Sequence, residues 1–254
     1  MSGYGFTYNG VASSNYNVTA TDTITGILPP LKGRTISVPN RPGAWYIRTD
    51  LGPRWIKVKV AITETSNTSL RTQIRQIAQW LSTVNGPQTL VFDNEPGLTY
   101  YAVLDAGMST GAGTQSTDIK QLVTLGQGEL TFMCVDPFAY GTQESLAFAS
   151  DSASPNVTGT YETWPTIDVT FTGGATDFKV SLGRLYVLVN HIFVAGDTLT
   201  VDCSKQEIQI NGVSAMADLG LSSNFFALQP GAQTLSITPT GVTTASVSWT
   251  PGSL

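Results

Sequence analysis

The segment Gly107-Met108-Ser109-Thr110-Gly111 has the spacing of a nucleophile elbow, and with a later acid and the single histidine, His191, it would give the chain order of a serine hydrolase triad. That chemistry needs the serine on a sharp turn from a buried strand into a helix. Here Gly111-Ala112-Gly113-Thr114 follows, a flexible sequence between two strand-like stretches, so the pattern reads as a chance match in a loop rich in Gly, Ser and Thr. Asp93-Asn94-Glu95 offers oxygen ligands suited to calcium, yet acids just before Pro96 are also what an ordinary turn uses. One histidine and the separated Cys134 and Cys203 do not make a zinc or iron site without carboxylates, and the acids are scattered singly. No catalytic residue, no metal and no cofactor is expected.

Arginines, lysines and aromatic residues form the one dense constellation. Seven of the thirteen basic residues, Lys32, Arg34, Arg41, Arg48, Arg54, Lys57 and Lys59, fall within 28 positions and interleave with Trp45, Tyr46 and Trp55. Such a run could be a solvated face or a nucleic-acid surface, but it lacks a single-strand-binding signature. It fits best a protein-protein interface with Trp and Arg as anchors, for which the candidates are Arg41, Trp45, Arg54, Trp55, Lys57 and Lys59. An acidic neighbouring subunit, or another protein, would be its complement.

The elements that must position these residues are mostly strands. Charged residues are only 12% of the 254, about half the usual ~25%, while hydrophobic residues reach 41%, too many for disorder. Residues 1–139 carry ten Lys/Arg against nine Asp/Glu, and residues 140–254 carry three against nine, within a net charge of -5. Neither half has the basic excess that phosphate-neutralising proteins need. No stretch of about 20 apolar residues occurs, so no membrane insertion is expected, and with no signal-peptide pattern at the N-terminus the expected place of folding is a cytosol. The two cysteines lie on strand-like segments and read as buried free thiols. The Asn17, Asn67 and Asn156 glycosylation patterns read as chance in so Thr- and Ser-rich a chain.

From Trp55 to Ile62 the pattern alternates, with Ile56, Val58, Val60 and Ile62 on one face and Lys57 and Lys59 on the other. Over Leu70–Leu81 the period becomes helical, with Leu70, Ile74, Ile77, Ala78 and Leu81 on one stripe, Thr68 or Ser69 as N-cap and Asn85-Gly86-Pro87 as the stop. Burying its four large aliphatic side chains contributes roughly 1.5 to 3 kcal/mol each before entropy is charged, which docks the helix on a sheet as a lid. After Phe138 comes a crossover without sustained period, residues 147–160, and then eight strands: Thr166–Phe171, Phe178–Leu182, Leu185–Val189, Thr198–Asp202, Glu207–Ile210, Phe225–Leu228, Thr234–Thr238 and Ala245–Trp249. The fold class is therefore mainly β, with an N-terminal sandwich or barrel-like domain, 1–139, carrying one packed helix, and a C-terminal jelly-roll sandwich, 140–254. Trp249 reads as core and Trp164 as the entrance to a strand.

Several motifs recur in one order: Phe6-Thr7-Tyr8-Asn9-Gly10, the turn from Val38 to Gly43, the helix ending in Trp80-Leu81, Asp93-Asn94-Glu95-Pro96 with Tyr100-Tyr101, and Leu130-Thr131-Phe132-Met133-Cys134-Val135-Asp136-Pro137. In the second half, Trp164-Pro165-Thr166-Ile167, Gly196 to Cys203, Ile210-Asn211-Gly212 and Phe225 to Gly231 continue the series. The order resembles that of siphophage distal tail proteins, the tail-tip hub subunits of long non-contractile phage tails. The resemblance implies a galectin-like second domain and a homo-hexamer formed through the first domains. That ring would join the tail tube protein to tail-tip or fibre proteins around a channel that DNA crosses without specific binding, at the distal end of the virion tail, after folding in the host cytoplasm. It implies no enzyme. A head-to-tail ring needs two different complementary patches, which the charge asymmetry can supply. An alternative is a carbohydrate-binding module that recognises host cell-wall polysaccharide through the second sandwich and its aromatics. The chain lacks the histidine, arginine and tryptophan cluster that galectins set against sugar.

Overall fold

The computed structural model describes residues 3–62, 67–105 and 127–254, with the backbone alone for 67–71. Contacts divide the chain into two compact units, Met1–Ala139 with Leu254, and Tyr140–Ser253.

The first unit is a strongly curved antiparallel sheet of seven strands. In chain order they are β1 (Phe6–Tyr8), β2 (Val11–Ala12), β3 (Val18–Thr25), then, after the β4 (Leu31–Ser37) and β5 (Ala44–Leu51) pair, β6 (Arg54–Ile62), β7 (Gln88–Phe92), β8 (Tyr100–Leu104) and β9 (Gln127–Cys134). Across the sheet they run β2, β1, β7, β8, β9, β6, β3. Just before β1, Tyr4 exchanges two backbone hydrogen bonds with Ala20 of β3, 3.0 and 2.9 Å long. Strand β1 thus meets β7 on one side and, by its leading residue, β3 on the other, which closes six strands into a barrel and removes most free edges.

The alternation of β6 is realised: Ile56, Val58, Val60 and Ile62 are buried, and Lys57 and Lys59 are exposed. Helix α1 (Asn67–Trp80) begins before the sequence pattern suggests, so Thr68 and Ser69 lie in its first turn and not ahead of it as caps. Its last residue, Trp80, enters the barrel mouth, stacked on Phe6 at 5.6 Å and on Tyr16 at 4.8 Å, and its indole N–H donates to the Tyr8 carbonyl at 3.0 Å. Ile74 and Ile77 pack against the same core. The helix ends there, and Gly86, at φ 82°, makes the turn that leads to β7.

In the second unit a six-stranded sheet faces a four-stranded one. The first runs Glu144–Ala147, Thr243–Trp249, Thr166–Phe171, Thr198–Asp202, Glu207–Ile210, Val213–Ser214, and the second Ser152–Ala153, Leu235–Thr238, Phe178–Leu182, Leu185–Val189. Their inner faces share one core that includes Ile167, Phe171, Val180, Val187, Val201, Leu235 and Trp249. Two readings are corrected. Phe225–Leu228 is not a strand, because its backbone pairs only at Leu228, with Thr163; and residues 147–160, expected as a crossover, hold the short strands Ser152–Ala153 and Asn156–Val157, too brief to show a period, just after the strand Glu144–Ala147. No helix among the described residues is long and apolar enough to cross a membrane.

Candidate assembly surface

The residues between Ile24 and Leu51 form a surface that the barrel does not cover. Strands β4 and β5 pair only with each other, from Leu31↔Leu51 to Ser37↔Ala44, and almost every residue of both is exposed. The tip, Val38 to Gly43, turns through Asn40 and Gly43, both at positive φ, and the Arg41 N–H donates to the Val38 carbonyl at 3.2 Å. Ile47 is the extra residue of a bulge, since Arg34 pairs with Arg48 and Thr35 with Tyr46.

This hairpin and the chain leading to it carry Ile24, Ile27, Leu28, Leu31, Ile36, Val38, Trp45, Tyr46 and Ile47 in the open, with Ile27 95%, Tyr46 65% and Trp45 60% exposed. Interleaved with them are cations. The Arg41 guanidinium lies 4.9 Å from the centre of the Trp45 ring. Arg34 and Arg48 both reach Asp50, and the Arg34 hydrogen bond, followed by the positive charges of Arg34, Arg48 and Lys32, holds the Asp50 carboxyl below its usual range. A two-stranded hairpin is marginal by itself in water, and a long, exposed, apolar one with both edges free is the kind that another chain covers.

The six interface candidates separate. Arg41 and Trp45 lie at the hairpin tip. Trp55, Lys57 and Lys59 lie on the outer face of β6, where the Trp55 indole N–H donates to Asp105 Oδ2 at 3.2 Å, Lys57 approaches Glu129 at 3.7 Å and Lys59 pairs with Asp22 at 3.0 Å. Arg54 is parted from all of them. It falls in the inward register with Ile56 and Val58, is 5% exposed, and its Nε and Nη2 are buried without a hydrogen-bond partner. Its charge acts instead on Tyr100 and Cys134. Burial pushes both up to about 12, the Glu95 charge adds to the rise at Tyr100, and Arg54 opposes the rise at each.

The remaining chemical candidates are not brought together. Ser109 lies outside the described residues. His191 pairs with Asp218, Nδ1 to Oδ2 at 2.8 Å, within the second unit. Glu95 accepts from the Tyr100 hydroxyl at 3.2 Å, and Asp93 packs so tightly on Gly5 that a Cβ there would stand 2.3 Å from its Oδ2. Among the described residues no three His, Cys, Asp or Glu side chains are placed to hold a metal ion. The turn from Val38 to Gly43 and the basic and aromatic residues around it are legible in the sequence; that the two runs flanking the turn pair only with each other and stand uncovered is not.

The chain is similar to components of phage tails. A family model for the phage tail protein RIFT-related domain matches residues 13–134, and one for the C-terminal domain of the siphovirus-type tail component matches 158–252. The distal tail protein of Bacillus phage SPP1 is 29% identical over 150 residues, which span 57% of this chain and 56% of that protein, so the aligned part is little more than half the length of this curated relative. The crystal structure of SPP1 Dit, described as a paradigm of the hub adsorption apparatus in phages infecting Gram-positive bacteria, superposes over 99% of both chains with a TM-score of 0.80 at 20% identity, a shared fold. A phage P2 baseplate structure aligns over 98% of both chains with a TM-score of only 0.46 at 8% identity.

Proposed function

The chain belongs to the siphophage distal tail protein family, and on that footing we propose that it is a structural hub subunit at the distal end of a phage tail. Six copies form a ring through their first units, and the ring joins the tail tube to the tail-tip or fibre proteins. DNA crosses its channel without being gripped, since neither half of the chain has the large basic excess that neutralising phosphates needs. The protein folds in the host cytoplasm, catalyses nothing and uses no cofactor.

The observation that carries this reading is the β4–β5 hairpin, apolar, cationic and uncovered on both faces and both edges. A head-to-tail ring requires one patch on each subunit to fit a different patch on the next. A projecting hairpin and the outer surface of a neighbour's first unit are two such unlike surfaces. In that arrangement Arg41, Trp45, Trp55, Lys57 and Lys59 lie in or beside the contact, while Arg54 is buried inside the barrel and takes no part in it. The carbohydrate alternative gains no comparable support. In the second unit Trp249 is core, and Trp164 is the one large aromatic among the described residues that is exposed.

Light scattering and negative-stain electron microscopy of the purified chain test the proposal. Six-fold rings are expected, and Trp45→Ala with Arg41→Glu should shift the mass toward monomer. A chain that stays monomeric at every concentration and binds neither tube nor tip proteins would overturn it.

A further inference from the structure

At one end of the second unit a groove of about 590 Å³ opens between three chain segments, residues 174–177, 192–194 and 239–242. Its walls are rigid. Ala175 and Phe193 exchange two backbone hydrogen bonds of 3.1 and 2.8 Å, the Thr172 N–H donates to the Val242 carbonyl at 2.8 Å, and the Val194 N–H donates to Asp197 Oδ2 at 2.8 Å. Beneath them Phe193 stacks on Phe171 with ring centres 3.9 Å apart. What the groove shows to solvent is apolar: Ile192 is 77% and Val194 59% exposed, beside Ala175, Pro239 and Val242.

One charge belongs to it. Asp177 lines the groove, and among the described residues its carboxylate has neither an ion pair nor a hydrogen bond. The other nearby acids are engaged, Asp151 with the Gly241 N–H, Asp197 with the Val194 N–H and the Asn211 side chain, and Asp218 with His191. The half of the chain around the groove carries nine acidic residues against three basic ones. A preformed apolar slot with a single unpaired carboxylate in an acidic field selects a ligand with the opposite charge and its own apolar surface. Sugar rings are a poor match, because they stack on flat aromatic faces and the groove's one aromatic residue, Phe193, is 1% exposed.

We propose that this groove is a docking site for an extended segment of another tail protein, one that presents two or three apolar side chains next to a lysine or arginine. Ile192, Val194 and Val242 take the apolar side chains and Asp177 takes the cation. The site lies wholly in the second unit, and it rests on the hub reading only for the identity of the partner as a tail protein.

The test is a display library of random twelve-residue peptides, selected on the intact chain. The expected consensus is an apolar pair or triplet flanked by Lys or Arg. Ile192→Lys, at an exposed position that leaves the fold unchanged by melting temperature, should weaken selected peptides at least tenfold. Asp177→Lys should turn the preference from basic to acidic flanks. An enriched peptide that ignores both substitutions, a consensus without basic residues, or no enrichment would overturn the proposal. So would methyl shifts at Ile192 and Val194 caused by glycan, or by raising the concentration of the chain alone. Light scattering on the same variants separates the two readings: rings that persist with Ile192→Lys keep the hub while the groove stands or falls by the peptides.

Discussion

Arg34 and Arg48 stand directly opposite one another across β4 and β5, and both reach the carboxylate of Asp50. Like charges in direct cross-strand register repel, so the register of the hairpin leans on one acid. Because the native Asp50 carboxyl lies below its ordinary 3.8, its contribution is fully present above that value and is lost as the pH falls through the lower native one. Asp50→Asn at neutral pH should speed amide hydrogen exchange in β4 and β5 by about two- to fivefold, the scale of an exposed ion pair. Exchange at Val58 and Phe132 in the barrel should not change. Equal protection in the hairpin of both forms would show that Asp50 does not hold it.

Trp80 joins the helix to the barrel by a hydrogen bond to the Tyr8 carbonyl and by stacking on Phe6 and Tyr16. Trp80→Ala should lower stability by about 3–5 kcal/mol, the range for a large aromatic deleted from a core. Trp80→Phe keeps the ring stack and leaves the Tyr8 carbonyl without its donor, so it should cost less, about 1–3 kcal/mol. Urea unfolding followed by circular dichroism separates the two, and equal losses would mean that the ring stack on Phe6 and Tyr16 adds nothing beyond the hydrogen bond that both variants lose.

How far the fold could be read from the sequence depended on burial contrast. Lys57 and Lys59 between Ile56, Val58 and Val60 fixed β6, and the apolar runs of the second unit fixed strands such as Phe178–Leu182, because in each the core takes one face. The β4–β5 hairpin buries neither face, so no alternation marks it, and only its turn residues did. Phe225–Leu228 misled for the opposite reason. Phe226 and Leu228 are buried, but from a loop whose backbone hydrogen bonds are isolated. Arg54 misled by its charge: counted with its neighbours in sequence it looks like surface, yet it shares the parity of Ile56 and Val58, and parity decides which way a strand residue points.

The two thiols should be silent toward a disulfide reagent in the native chain. Burial pushes Cys134 up to about 12 and Cys203 up to about 11, so neither is a thiolate at pH 8, and neither reaches solvent. No colour is expected from dithionitrobenzoate before urea is added, and two equivalents after it. Release of one equivalent from the folded protein would mean that one unit opens on its own.

Gly159 and Gly33 make a matched pair in which only close approach differs. A Cβ on Gly159 would stand 2.3 Å from the Gly252 carbonyl oxygen, which is backbone and cannot swing aside, whereas a Cβ on Gly33 meets nothing within 4 Å. The contact is fixed by hydrogen bonds from Thr160 and Tyr161 N–H to that same oxygen, both 3.0 Å. Gly159→Ala should therefore destabilise the second unit by about 1–3 kcal/mol through overpacking, while Gly33→Ala should be neutral or slightly stabilising. Calorimetry of both variants decides it, and a neutral Gly159→Ala would show that the backbone at Gly252 can shift at little cost.

Arg54 places a guanidinium inside the barrel with Nε and Nη2 unpartnered, beside a neutral Cys134 and Tyr100. A buried cation with unpaired nitrogens loses more in desolvation than it recovers, so an apolar side chain of similar length serves the fold as well. Arg54→Met should leave stability within about 1 kcal/mol of the parent or raise it. Arg54→Ala removes the same charge and also opens a cavity, at a cost of about 2–4 kcal/mol. The charge itself has a separate signature. It opposes the upward shift of Tyr100 and Cys134, so with methionine in place both groups should titrate still higher, and the native chain should remain unreactive toward thiol reagents at pH 8. A Met variant as unstable as the Ala variant would mean that the guanidinium, and not its volume, holds this end of β6 in place.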